Sequence, residues 1–291
     1  MEDRMAKTGR PRIWFITGAS KGLGYAFTEA ALRAGDRVVA ASRSIGKLDR
    51  LAAEYADDLL YLPTDVADRA AVFRSVGAAA ERFGRIDLVV NNAGSMVLGM
   101  VEELTEEEAR AQMEVAFFGA LWVSQAVMPV LRNQGSGHIL QITSIGALVS
   151  GPMSGIYSAS KFALEGLSEA LAKEAASFGV AVTMVEPGGY WTDLYTSMRV
   201  SAPLSAYDRL REDLAREYAE GSVDSDPALA AEALMTIVDS RDPPLRVILG
   251  SKVFDIALQT TAARIDSWKR WEAVSRAAER GIPAPEGYGM G

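Results

Sequence analysis

Tyr157 and Lys161 stand four residues apart in the run Tyr157-Ser-Ala-Ser-Lys161, with Ser144 a short way upstream. On a helix that spacing sets both side chains one turn apart on a single face. A phenol ordinarily holds its proton until about pH 10. An ammonium one turn away favours the phenolate, so the tyrosine becomes an acid or base usable near neutrality. Ser144 can offer its hydroxyl to a substrate oxygen. The three are suited to moving a proton on and off an oxygen.

Other chemistries are closed to this chain. It has no cysteine, which excludes disulfides, thiolate catalysis and cysteine-ligated metals. His138 is the only histidine, so histidine-based triads and multi-histidine zinc sites are excluded and no metal is expected. His138 opens an apparent strand, 138–142, and reads as structural.

A second group of residues is suited to a dinucleotide. Thr17-Gly-Ala-Ser-Lys-Gly-Leu-Gly24 joins a first strand to a first helix. Gly18 permits a tight turn, Gly22 lets backbone approach a pyrophosphate, and Gly24 allows close helix–strand packing. The N–H groups of Ser20, Lys21, Gly22 and Leu23 lie where a helix N-terminus favours phosphate. Asp65-Val66 ends a third strand, where a carboxylate can accept an adenine amino hydrogen; an exposed helix cap is the alternative. Asn91-Asn92-Ala93-Gly94 ends a fourth, where buried amides can join strands and Gly94 lets a dinucleotide pass close to the backbone.

The elements that must position these groups are legible. Short β-rich runs at 13–16, 38–41, 59–62, 87–90, 138–142, 180–185 and 245–249 alternate with helical patterns, among them 106–127, 157–177 and 228–239. That order predicts an α/β fold, a doubly wound parallel sheet of Rossmann type with about seven strands and helices on both faces. Its ligands belong at the carboxyl ends of the strands, where every motif above falls. Residues 1–11 read as an N-terminal extension and 12–291 as one domain. Residues 189–221 interrupt the alternation and read as a substrate lid, and 252–291 as a C-terminal helical extension whose last eleven residues are poorly ordered unless docked.

The chain has 291 residues, is 49% hydrophobic and carries a net charge of −8. The pI is about 4.9. No basic stripe for nucleic acid is present. The longest apolar stretch, 120–131, is too short to span a bilayer, and the N-terminus does not read as a signal peptide. The expectation is a cytoplasmic protein with no membrane partner.

Taken together, Thr17-Gly18-xxx-Gly22-x-Gly24, Asn91-Asn-Ala-Gly94, Ser144, Tyr157-xxx-Lys161 and Pro187-Gly188 resemble the short-chain dehydrogenase/reductase family in order and spacing, over about residues 12–249. The resemblance implies a nicotinamide cofactor and hydride exchange with an alcohol or carbonyl. It implies that Tyr157 is the acid/base, that Lys161 lowers the tyrosine's pKa and bonds the nicotinamide ribose, and that Ser144 orients the substrate oxygen. Pro187, Gly188 and Thr192, with the intervening Tyr190, match the segment that holds the carboxamide. NAD-specific enzymes commonly place an acid at the end of the second strand. This chain has Ala41-Ser42-Arg43 there, with Lys21 in the glycine loop; a hydroxyl and two cations suit a 2′-phosphate, so NADP(H) is expected over NAD(H).

One position departs from the family. In Glu114-Val-Ala-Phe-Phe-Gly119, Ala116 stands where the family has an asparagine. In the family that asparagine holds a water linking the lysine to solvent, and alanine cannot. Three readings stay open: a reductase with a repaired or slower proton relay, a redox-neutral isomerase or lyase that keeps its cofactor bound, or a nucleotide-binding protein with little activity.

Ser95, Met96 and Val97, residues 145–153, and Tyr190, Trp191, Leu194, Tyr195 and Met198 are expected to line the substrate side. Their apolar and aromatic character predicts a medium or bulky hydrophobic ketone, aldehyde or secondary alcohol. The resemblance also implies a homodimer or homotetramer. Phe117, Phe118, Leu121, Trp122, Phe162 and Leu167 are apolar enough for such an interface, though packing against the sheet explains them equally well.

Overall fold

The structure is a computed structural model that describes residues 9–221 and 223–281. In chain order its elements are β1 (Ile13–Thr17), α1 (Gly22–Arg33), β2 (Arg37–Ser42), α2 (Leu48–Glu54), β3 (Leu59–Pro63), α3 (Arg69–Phe83), β4 (Leu88–Asn91), β5 (Val97–Leu98), α4 (Glu106–Met113) and α5 (Gly119–Gln134). There follow β6 (Gly137–Ile142), α6 (Gly155–Ala176), β7 (Val180–Pro187), β8 (Gly189–Tyr190), α7 (Leu194–Ser197), β9 (Arg199–Val200) and α8 (Asp208–Gly221). The last are β10 (Asp224–Ser225), α9 (Pro227–Val238), β11 (Arg246–Leu249), α10 (Ser251–Arg270) and α11 (Glu272–Ala277).

Seven strands form one parallel sheet in the order β3-β2-β1-β4-β6-β7-β11. Strand order reverses between β1 and β4, and the glycine loop leaves β1 at that crevice, the usual ligand position in such sheets. Alternation along β1 sends Trp14 and Ile16 to the α1/α9 face and Phe15 to the α3/α5/α6 face, all fully buried. His138 is buried on β6, its Nε2 2.9 Å from Thr183 Oγ1, and burial pushes its pKa down to about 4. It therefore stays neutral and structural.

The predicted helix 106–127 is one continuous run to Gln134, with a π-helical turn, Glu114–Phe118, between α4 and α5. Pro129 does not stop it, because the carbonyl it leaves without a donor belongs to exposed Gln125. Residues 106–134 are long and apolar enough to cross a membrane, yet Val123, Val127 and Leu131 are fully buried against the sheet. The six residues considered for an interface are not packed away: each keeps exposed surface, and Phe118 stacks on Trp122 at 5.7 Å.

Segment 189–221 is stitched into the body. Strand β8 pairs with β10, and β9 pairs with β5. The predicted helix 252–280 breaks at Trp271, and Ala257 is the one buried residue of α10. Most of the predicted tail, 282–291, and most of the N-terminal extension, 1–8, lie outside the described residues.

Candidate active site

Ser144 follows β6 and Tyr157 lies in the first turn of α6, the helix that carries Lys161. Ser144 is extended, and its Oγ accepts the Gly146 N–H at 3.0 Å. Lys161 is buried, with its Nζ donating to the Ile142 carbonyl at 2.9 Å and lying 5.9 Å from the centre of the Tyr157 ring. The three predicted residues are therefore brought together. Burial raises the pKa of Tyr157, and a hydrogen bond with Ser144 pulls it partly back. Burial also lowers the pKa of Lys161 to about 8.

Gly146 has a role that sequence reasoning missed. A Cβ at this position would meet Tyr157 Cε1 at 3.1 Å and Ser144 Oγ at 3.4 Å. A bare backbone is what lets the ring approach the serine. Gln112 was missed as well. It is fully buried, accepts from Val97 N at 3.1 Å, and donates to Ser95 O and to Ser160 Oγ, both at 3.1 Å. It thus joins α4 to the loop after β4 and to α6, one residue from Lys161. Ala116, one turn on, is also buried. The signal available for Gln112 was an amide one turn before the missing asparagine.

The cofactor motifs form one cradle. Asn92 Nδ2 donates to Thr17 O at 3.0 Å and Gly18 O at 3.3 Å, while Thr17 Oγ1 accepts from Asn92 N and Ala93 N, both at 3.0 Å. Asn92 therefore fastens the end of β4 to the end of β1. A Cβ on Gly18 would lie 2.9 Å from Ala93 Cα, so the turn admits glycine alone. The first turn of α1 has no side-chain cap at Lys21 and no acid, whereas Asp68 caps α3 and Asp226 caps α9. An uncapped N-terminus beside the glycine loop fits a phosphate group. Lys21, Arg43 and Asp65 are exposed near this edge, Val66 is buried, and Ser42 Oγ donates to Ser44 O at 2.7 Å. Neither Lys21 nor Arg43 has an ion-pair partner among the described residues. The helix cap after β3 is Asp68, not Asp65, whose carboxylate accepts from Ala67 N at 3.0 Å.

Several predicted lid residues sit elsewhere. Tyr190 is buried in the α1/α9 core with Leu234 and Leu249, because β8 continues from β7 and turns this ring under the sheet; only its backbone remains for a cofactor. Trp191, Thr192 and Tyr195 line a cleft of about 840 Å³ with Gly22, Tyr25 and Lys47, on the outer flank of the glycine loop. The Tyr195 hydroxyl donates to Asp224 at 2.8 Å, and Lys47 pairs with Asp193 at 3.4 Å. Met96 O and Leu98 O accept from Arg199 N and Ser201 N, so the other end of the segment borders the catalytic side.

That end is held by a carboxylate. Glu103 is buried, and it accepts from Arg211, from Leu204 N at 2.8 Å and from Met100 N at 2.8 Å. The Arg211 hydrogen bond, ahead of the two N–H donors, holds its pKa down at about 2. A depressed carboxylate stabilises when ionised, above its ordinary value of about 4.3, and the contribution fades as pH falls toward 2. Hydrogen exchange in residues 199–211 should therefore accelerate between pH 4 and 2.5, and in Arg211→Ala at neutral pH. Unchanged protection in Arg211→Ala would show that other contacts hold the segment.

Among the described residues no cluster of three or more histidine, aspartate or glutamate side chains could hold a metal ion. The family model for short chain dehydrogenases matches residues 12–202. Oxidoreductase BOA17 of Botryotinia fuckeliana is 36% identical over 92% of this chain and 99% of its own. A 3-ketodihydrosphingosine reductase of Bacteroides thetaiotaomicron is 33% identical over 89% and 93%. A crystal structure of a short-chain dehydrogenase from Streptomyces avermitilis superposes with a TM-score of 0.87 at 36% identity, covering 94% of this chain and 100% of that one. A short chain dehydrogenase from Burkholderia cenocepacia in complex with NADP superposes at 0.71 with 26% identity, over 90% and 97%. Placed beside the assembled Ser144, Tyr157 and Lys161 and the cradle of β1 and β4, these matches show that the chain belongs to the short-chain dehydrogenase/reductase family of oxidoreductases.

Proposed function

We propose that the protein is an NADP(H)-dependent oxidoreductase that interconverts a medium or bulky hydrophobic ketone or aldehyde with its alcohol. The observation that carries this reading is the meeting of Ser144, Tyr157 and Lys161 at the strand ends, beside Gly94 and the glycine loop. A Cβ on Gly94 would lie 4.0 Å from Lys161 Nζ, so the cradle and the proton-transfer groups share one edge. When bound, the nicotinamide supplies or accepts the hydride. The backbone at Gly22 and Leu23 would hold the pyrophosphate, Asp65 and Val66 the adenine, Lys161 a ribose hydroxyl, and Pro187, Gly188 and Thr192 the carboxamide. In reduction the Ser144 hydroxyl donates to the carbonyl oxygen and Tyr157 gives it a proton; in oxidation Tyr157 takes the proton back.

Lys21 and Arg43 support NADP(H), since neither has an ion-pair partner among the described residues and no acid ends β2. Removing both charges should lower the preference for NADPH over NADH by about 30- to 1000-fold, at about 1–2 kcal/mol for each charge-assisted contact. Equal efficiency with both cofactors in the unaltered chain would refute the preference. The hydrophobic substrate reading rests on Met96, Val97, Leu148 and Met153; the relative named as a 3-ketodihydrosphingosine reductase is named for a ketone. A panel of carbonyls and alcohols followed by cofactor absorbance tests it, and a response confined to small polar carbonyls would overturn it.

Ala116 favours a second reading, a redox-neutral reaction with the cofactor retained. Substrate conversion without net cofactor oxidation would select it. The partly exposed Phe118, Trp122 and Phe162 support a homodimer or homotetramer through α5 and α6, which light scattering tests.

A further inference from the structure

Seven buried side-chain atoms among the described residues have no hydrogen-bond partner. Six are carried by β4, β6, α6 and β7: Asn91 Oδ1, Gln141 Oε1, Ser158 Oγ, Glu165 Oε1 and both carboxyl oxygens of Glu186. Buried polar atoms are almost always satisfied by protein or by ordered water. Glu186 is the residue before Pro187 at the end of β7 and is 1% exposed. Lys161 and Glu165 stand one turn apart on the inner side of α6, and both are buried. The ammonium donates to Ile142 O, and Ile142 pairs in register with Val185, the neighbour of Glu186.

The carboxyl pair leads outward. Arg246 Nε on β11 donates to Glu165 Oε2 at 2.9 Å and lies 3.7 Å from Glu186, and Arg246 also pairs with Glu169, which is half exposed. These groups run from the buried face of Lys161 to solvent at β11, away from the cofactor edge. Two carboxyl groups set side by side can bond each other only when one keeps its proton. We propose that Glu186, with Glu165, is a buried proton store that resupplies Lys161, and through it Tyr157, replacing the relay that the family asparagine serves and Ala116 cannot.

This rests on the reductase reading. In each turnover Tyr157 passes its proton to the carbonyl oxygen while the hydride reaches the carbon. The phenolate then takes a proton from the Lys161 ammonium, and the amine takes one from the Glu186 carboxyl across bridging water, because no ion pair joins them directly. The Glu186 carboxylate recovers a proton from solvent by way of Glu165 and Glu169. One hydride and one solvent proton are consumed for each carbonyl reduced.

The acidities are matched for this. Burial first, then the Glu165 charge, push Glu186 up to about 7 against the opposing pull of Arg246, and Lys161 sits at about 8. The charged or titratable groups beside Glu186 are Glu165 from α6 and Arg246 from β11, with Lys161 one turn before Glu165 and Glu169, also on Arg246, one turn after it; β6 offers Gln141 and Thr143, and its His138 faces the opposite side of the sheet. The store is loaded below pH 7 and empties as pH rises through it, so the rate of reduction should begin to fall there.

The test has two arms. In the cofactor-free protein, infrared difference spectroscopy should show a buried carboxylic acid that titrates near pH 7 and disappears in Glu186→Gln. With NADPH and a reducible ketone, Glu186→Gln should lower kcat about tenfold, less than the 10²–10⁴ of losing the acid itself. It should also remove the pH 7 limb and raise the solvent isotope effect, with KM for NADPH unchanged. Ala116→Asn should restore the lost rate in the Glu186→Gln background. A reductase whose pH profile is the same with and without Glu186, or whose Glu186→Gln form Ala116→Asn does not restore, contradicts the store. A chain that shows the carboxylic acid but reduces no carbonyl contradicts the reductase reading and the resupply role together.

Discussion

Replacing Tyr157 by phenylalanine should reduce carbonyl turnover by about 10³-fold while leaving cofactor binding and melting temperature nearly unchanged. Loss of a positioned general acid costs about 10²–10⁴ in rate. The upper part of that range applies here because the Ser144 hydroxyl is a far weaker general acid than a phenol, and the Lys161 ammonium is held on Ile142 O. The ring itself is retained, so the packing against Gly146 survives. The measurement is single-turnover reduction with NADPH, paired with fluorescence titration of the cofactor. A residual rate within tenfold of the unaltered protein would remove Tyr157 from the proton-transfer role. Lys161→Ala differs in kind, since it should weaken cofactor binding as well as turnover.

The second large effect is at Gly24. A Cβ there would stand 2.3 Å from the Gly18 carbonyl oxygen and 2.4 Å from Asn92 Nδ2, and the same amide holds β4 to β1. Alanine gains about 1 kcal/mol of helix propensity over glycine. The clash is with backbone and with an amide held by the Thr17 and Gly18 carbonyls, so overpacking at about 1–3 kcal/mol or more wins. Gly24→Ala should lower the melting temperature by several degrees and weaken NADPH binding at least tenfold, because α1 is pushed off the loop that its N-terminus serves. Gly77 lies inside α3 and its added Cβ would meet nothing within 4 Å, so as the control Gly77→Ala should raise the melting temperature and leave NADPH binding unchanged. Equal behaviour of the two variants would show that close packing at Gly24 does not shape the cradle.

Much of this was legible in sequence because its determinants are local. Each strand of the main sheet announced itself as a short apolar run, and Tyr157 and Lys161 met because one helix carries both. The glycine loop was readable from its place after the first strand. What sequence did not reveal depends on distant partners. Glu103 finds Arg211 across more than a hundred residues, and neither residue is unusual alone. Tyr190 looked like a lid aromatic until β8 turned it under the sheet. The buried group of Asn91, Gln141, Glu165 and Glu186 is invisible in any one segment, since four elements contribute to it. Ala116 was noticed as a gap, and only the fold shows what surrounds it.

Hydride transfer is the central claim, and an isotope measurement tests it most directly. The protein would be supplied with NADPH deuterated at the transferable position of nicotinamide C4 and with a hydrophobic ketone from the panel. The expected products are an alcohol with deuterium on its carbinol carbon and one equivalent of NADP for each ketone consumed, with no such product from Tyr157→Phe on the same timescale. A converted substrate without deuterium, or conversion with the cofactor still reduced, would contradict it.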